Sequence, residues 1–168
     1  MCSAVPPNDI IPAVPSVEVV VLEAVELGSG VSVYTSLRCD VSLSSQGSSL
    51  RCSTVESTAS APLTKDSAVW YNSPAETSDV CSAPQACRIA LTVDRASYRP
   101  PATLHISVMG ADATAVGLVA TASLPLTWFE ANVSAGKRVW LDLLDNRMAL
   151  AGRVRVWIAF HPSGIPKR

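Results

Sequence analysis

The 168-residue chain predicts an all-β fold, eight antiparallel strands packed as a two-sheet sandwich or a barrel, and three observations carry that prediction. Apolar and polar residues alternate with a period of two in one stretch after another, as in strands with one buried face. Glycine, proline and serine clusters separate these stretches at turn-like spacing. Helical periodicity is almost absent, and many short strands with few helices pack as two sheets or as a barrel. The clearest stretch is Ala102 to Leu124. Leu104, Ile106 and Val108 alternate with Thr103, His105 and Ser107, a short loop from Met109 to Ala115 follows, and Val116, Leu118, Ala120, Ala122 and Leu124 alternate again. Two such runs about a Gly/Asp-containing loop read as a hairpin.

The other elements follow in order. Residues 1–16 hold Pro6, Pro7, Pro12 and Pro15, which suit neither a helix nor a central strand. They read as an extended or disordered lead-in. Val17 to Leu27 is a strand closed by the glycines at 28 and 30. In Val33 to Leu43, Val33, Leu37, Cys39, Val41 and Leu43 face one way, inward, and Tyr34, Ser36, Arg38, Asp40 and Ser42 face the other. Leu50 to Thr58 is a weaker strand. Residues 59–86, rich in Ser, Ala, Thr and Pro, are long for a structureless connection, so they read as a mobile insertion anchored by Trp70 and Tyr71. Cys87 to Val93 and Lys137 to Leu143 are strands. Trp128 to Gly136 is a connection, and Asp145 to Gly152 reads as a short helical turn ended by glycine. Val154, Val156, Ile158 and Phe160 mark the last strand, and residues 162–168 are a tail. One domain over 17–161 is the expected organisation, with the Pro-rich start and basic end suggesting a segment of a longer protein.

Composition narrows the function classes. A formal net charge of −1 offers no basic field for nucleic acid. No apolar run is long enough to span a bilayer, and the start lacks the pattern of a secretory signal, so a cytoplasmic setting is expected. The five cysteines, Cys2, Cys39, Cys52, Cys81 and Cys87, form no Cys-x-x-Cys pair, and only His105 and His161 accompany them. That spacing fits neither a disulfide framework nor zinc. Hydrolase elbows, phosphate loops and zinc helices are also missing, so no enzyme activity and no cofactor are expected.

Three segments resemble the C2 domain family. They are Gly30-Val31-Ser32-Val33-Tyr34-Thr35-Ser36-Leu37, the central hairpin with Val116-Gly117-Leu118 and Leu124-Pro125-Leu126, and the closing pair Lys137 to Leu143 and Gly152 to Phe160. The resemblance covers Val17 to Phe160 and implies a C2-type sandwich. In calcium-binding members, aspartates of two loops at one end hold the ions. Here Ser32 and Gly110 occupy two of those positions, Asp112 matches a third, and Glu26 lies near the other loop. Calcium takes six to eight oxygens, mostly carboxylate, so the resemblance implies a calcium-independent member. Asp112 equally suits a turn residue bonding its own backbone.

Two functional readings remain. The first is a protein-docking module, partnered by another protein or another domain of its parent, in a cytoskeletal, centriolar or ciliary scaffold by family analogy. Its candidate surface is Trp140 and Trp157, which have outward parity, and tryptophan is enriched at interfaces. The alternative is peripheral binding to anionic phospholipid, with Arg38, Arg51 and Arg88 as the candidate patch. Three scattered arginines also suit a solvated face, since polybasic lipid sites are denser.

Overall fold

The computed structural model describes residues 16–45, 55–72, 83–92, 102–112, 116–125 and 136–161. Among the described residues ten strands are formed: β1 (Ser16–Val25), β2 (Ser36–Ser45), β3 (Glu56–Ser57), β4 (Ala61–Thr64), β5 (Ser67–Val69), β6 (Arg88–Thr92), β7 (Ala102–Ala111), β8 (Val116–Pro125), β9 (Lys137–Leu144) and β10 (Leu150–His161). All the pairings are antiparallel. One layer is β9-β10-β1, with β5 and β6 lying end to end along the far side of β1. The other is β8-β7-β2, with β3 and β4 end to end along β2. The β4–β5 hairpin joins the layers at one seam, and among the described residues the pair Thr121↔Leu144 joins β8 to β9 at the other. The hydrogen-bonded path therefore closes on itself as a flattened, barrel-like sandwich.

The core lies between the layers, and the alternation in sequence places it there. Val17, Val19, Val21, Ile89, Leu91, Leu141, Leu143, Val154, Val156 and Ile158 face Leu37, Cys39, Val41, Leu104, Ile106, Val108, Ala120 and Ala122 across one continuous apolar cluster. Each fully buried aliphatic side chain of this size contributes about 1.5–3 kcal/mol. Cys39 is wholly enclosed, as its parity predicts, and burial together with the neighbouring Asp40 charge pushes its thiol pKa well up. Such a thiol is inert packing material.

β1 departs from alternation, because every residue from Ser16 to Leu22 is buried. Its second face carries Val20 and Leu22, which pack with Ala83 and Cys87 under Trp70, Tyr71 and Trp157. A bulge between Val21 and Glu23 then restores one exposed face toward the end of the strand.

Several expectations are corrected. Between 61 and 69 the anticipated mobile insertion is instead the β4–β5 hairpin, with Ala61 and Ala68 in the core. The pieces are four and three residues long and include Pro62, a combination that hides a strand from pattern reading. The two strands of this hairpin, set off from β3 by a break, raise the strand count among the described residues from the expected eight to ten. At the break, Thr58 and Ala59 form a kink. The Thr58 amide donates to the Cys39 carbonyl at 2.9 Å, and its hydroxyl accepts from the Cys39 amide at 3.0 Å. Ala59 is thereby turned outward, with its amide on the Ala86 carbonyl and its carbonyl accepting Trp70 Nε1 at 2.9 Å.

The loop expected from Met109 to Ala115 is shorter, since β7 runs to Ala111. The helical turn expected over 145–152 is a strand-to-strand turn. Asp145 Oδ1 accepts the amides of Arg147 and Ala149, and Met148 takes a positive φ of 62°. Gly152 lies inside β10 with φ of 137°, where a Cβ would come 2.8 Å from the Val25 carbonyl oxygen. It answers to close strand approach rather than to a helix end. The first strand stops at Glu26, whose φ of 55° turns the chain before the glycines. Residues 1–15 of the lead-in, the tail, residues 50–54 and most of the 128–136 connection lie outside the described residues, and Ser16, the last residue of the expected lead-in, opens β1.

Thr58→Val keeps the shape of the side chain and removes the hydroxyl that the Cys39 amide bonds. The expected loss is about 1–3 kcal/mol, the cost of an unsatisfied buried amide. Urea unfolding would show it as a lowered midpoint with an unchanged slope, and Thr58→Ser should recover most of it.

Candidate functional site

The outer face of β9 and β10 is assembled by strand register. Arg138, Trp140 and Asp142 alternate outward on β9 and stand beside Trp157, Arg155 and Arg153 on β10, respectively. Trp140 is 41% exposed. The Arg153 and Arg155 guanidinium carbons lie 5.1 and 5.6 Å from its ring centroid, within cation–π range. Both arginines also reach acids. Arg153 grips the two Glu26 oxygens at 3.1 Å each, and Arg155 lies 3.6 Å from Glu23. Trp140 thus stands as an aromatic post flanked by two planar cations.

Trp157 has the outward parity expected of it, but it is half-buried. Its ring packs on the Val20 and Leu22 cluster and against Gly136. The two candidate tryptophans therefore share a face and have different work. Trp157 closes the second face of β1, while Trp140 remains accessible.

The three candidate arginines are not brought together as one patch. Arg38 Nε bonds its strand neighbour Asp40 at 3.1 Å, and Asp40 also accepts Ser57 Oγ at 2.7 Å. Arg51 lies outside the described residues. Arg88 is turned to the Glu18 carboxylate, which is only 2% exposed. The second Glu18 oxygen faces His161 Nε2 at 3.1 Å. A buried carboxylate needs paired charge and full hydrogen bonding, so Arg88 is committed to the fold. Sequence reading misses this group because Glu18 stands 70 residues from Arg88 and 143 from His161.

At the end of the sandwich bearing the β1–β2 and β7–β8 loops, the Tyr34 side chain lies over Gly110 and Gly117. A Cβ at either glycine would fall inside the van der Waals surface of that side chain. Gly110, one of the positions where the resemblance expects a loop aspartate, is therefore a seat for an aromatic ring. Glu26 is held by Arg153, Asp112 follows the end of β7, and Ser32 is exposed in the β1–β2 loop. Among the described residues no three His, Cys, Asp or Glu side chains gather as a metal site. His105 stands outward between Ser44 Oγ at 2.6 Å and Ser123 Oγ at 3.0 Å, a hydroxyl-flanked position on the outer β2-β7-β8 face.

Two layers of antiparallel strands, closed through a hairpin at one seam, define the class of protein as a β-sandwich. Comparison with solved structures shows that the fold is that of C2 domains. The C2A domain of plant Extended Synaptotagmin 1 matches with a TM-score of 0.56 and 16% identity over 93% of this chain and 98% of that one. The C2A and C2B domains of Extended-Synaptotagmin 2 match at 0.55 and 13% identity, over 95% of this chain and 46% of that one. Human GIVD cytosolic phospholipase A2 matches at 0.58 and 11% identity, over 88% of this chain and 16% of that one. No family model matches the sequence, and no curated protein matches it.

Three substitutions and one double-mutant cycle test this arrangement. Arg88→Ala strands the Glu18 carboxylate and should cost about 3–5 kcal/mol in chemical denaturation. Arg38→Ala, at a half-exposed pair, should stay within about 1 kcal/mol. Gly110→Ala should destabilise by about 1–3 kcal/mol through overpacking against Tyr34. The same change in a Tyr34→Ala background should cost much less, and a double-mutant cycle with no coupling would show that the ring is not seated there.

Proposed function

We propose that the chain is a non-catalytic, calcium-independent C2 module that docks a protein partner, or another domain of its parent, within a larger cytoskeletal, centriolar or ciliary scaffold. The observation that carries the reading is Trp140, exposed on a regular strand between Arg153 and Arg155. Tryptophan and arginine are the residues most enriched among those that dominate binding energy at protein interfaces. A rigid strand holds the ring ready, which lowers the ordering cost of association.

Two further observations support the calcium-independent part. Both oxygens of Glu26 are occupied by Arg153, and Tyr34 lies over Gly110 instead of facing a second acid there. The lipid-binding alternative loses Arg88, which is committed to Glu18. Among the described residues no helix is long and apolar enough to cross a membrane.

Melting with and without millimolar calcium should give superimposable curves, since a ligand that binds only the folded state must raise the melting temperature. In the same preparation, phosphoinositide vesicles should leave the chain in the supernatant. Salt-sensitive co-sedimentation that weakens on substituting Arg38 and Arg51 together by alanine would move the assignment to the membrane reading.

A further inference from the structure

Resting on the protein-docking reading, we infer that the cleft between β8 and β9 receives an arginine side chain of the partner, with Asp142 as its counter-ion and Trp140 as its aromatic wall.

β8 and β9 meet at Thr121↔Leu144, and a cleft of about 510 Å³ opens beside that pair, within the size range of ligand-binding pockets. Ala122 and Leu141, both core residues, close its floor. Thr121 and Ser123 line the β8 side, Trp140 and Asp142 the β9 side, and Leu144 and Met148 the end toward the 145–149 turn.

Among the described residues that line the cleft, Asp142 is the one that carries charge. It is exposed, and among the described residues no ion pair or hydrogen bond engages its carboxylate. Arg153, its register neighbour on β10, holds the two Glu26 oxygens instead. Arg155 lies 3.6 Å from Glu23. The two cations beside Trp140 are thus balanced by acids of the β1 end, and Arg147 of the neighbouring turn is not part of the lining. The acid in the cleft keeps its charge for a ligand, so the ligand it selects is a cation.

The surrounding groups select which cation. Arg153 and Arg155 reach the Trp140 ring from β10, and the cleft borders Trp140 on the β8 side. A guanidinium lies flat on an aromatic ring, meets a carboxylate with a fork of parallel N–H donors, and is more weakly hydrated than an ammonium. Its remaining donors have the Thr121 and Ser123 hydroxyls as acceptors on the facing wall. Ser123 Oγ also meets His105 Nδ1 at 3.0 Å, a contact that holds the hydroxyl in place. Leu144 and the 74% exposed Met148 supply apolar cover for the methylene stem of the arginine. A lysine brings the charge without the fork or the flat stack. Arginine is also among the residue types that dominate binding energy when seated in a pocket at an interface.

The test titrates the isotopically labelled full chain with N-acetyl-arginine N-methylamide, whose caps stand for the flanking peptide bonds. The Trp140 indole N–H signal, assigned by its loss in Trp140→Phe, should shift saturably with millimolar affinity and less at high salt. Asp142→Asn, which keeps the size of an exposed side chain, should weaken binding about tenfold or more. Trp140→Ala, followed through the Leu144 amide, should weaken it about twofold or more. The citrulline analogue, with the shape and without the charge, should give no saturable shift, and the lysine analogue should bind more weakly than arginine. Equal binding of arginine and citrulline, or binding indifferent to Asp142→Asn, overturns the site. Lysine binding as tight as arginine overturns the choice of side chain. No saturable shift with any analogue, in a chain that stays in the supernatant with phosphatidylcholine vesicles, overturns the site and leaves protein docking standing. Choline that displaces the arginine analogue, together with co-sedimentation on those vesicles, overturns the docking reading along with the site. A dimer in light scattering that Asp142→Asn dissolves identifies the arginine of a second copy and overturns a foreign partner.

Discussion

The burial of β1 on both faces is the constraint on which the rest of the molecule depends. One face supplies Val17, Val19 and Val21 to the core between the layers. The other bears Val20 and Leu22, and a sheet face with such residues has to be covered. The cover comes from three directions in sequence: Trp70 and Tyr71 after the β4–β5 hairpin, Ala83 and Cys87 before β6, and Trp157 from the neighbouring strand. Trp70 and Tyr71 are moored by their amides to the Leu22 carbonyl, at 2.9 and 3.1 Å. Glu18 lies on the same covered face, and its enclosure is what recruits Arg88 and His161. A ten-residue strand thereby organises the kink at Ala59, the hairpin and the start and end of two other strands.

How much of this was legible in the sequence depended on the range of the signal. Strands that alternate over eight or more residues, such as β2, β7 and β10, announce their buried face through Leu37 to Leu43, Leu104 to Val108 and Val154 to Ile158. β4 and β5 are too short to show a period, and Pro62 argues against a strand until a partner is in view. The double burial of β1 is written in its sequence as Val-Val-Val-Leu. A continuous apolar run states that both faces are covered without stating by what. Trp140 and Trp157 were indistinguishable by parity. Their difference arises from Gly136 and the β1 cluster, which only the tertiary arrangement brings against Trp157. The pairing of Glu18 with Arg88 had no local trace at all.

The candidate surface combines features that come from different levels of this hierarchy. Alternation puts Trp140 outward, antiparallel register places Arg155 beside it, and Arg153 reaches it from the neighbouring pair. The turn at 145–149 is tightened by the Asp145 carboxylate and leaves Met148 standing in solvent at the lip of the same cleft. The loop end of the sandwich is different in character: the Tyr34 ring is seated over two glycines, and Glu26 meets Arg153 in an exposed ion pair. The end that the C2 resemblance marks for metal is thus the stitched part of the molecule, and the open part is the side seam.

The two seams differ in kind, and mechanics follows from that. At β4–β5 the layers are joined by continuous chain and by the ladder pairs Leu63↔Ala68 and Thr64↔Ser67. At β8–β9, among the described residues, one ladder pair bridges them. Counted by the ladder pairs of the described residues, the β8–β9 seam should open locally at lower cost than the hairpin seam, because opening is easiest where the fewest hydrogen bonds must break together.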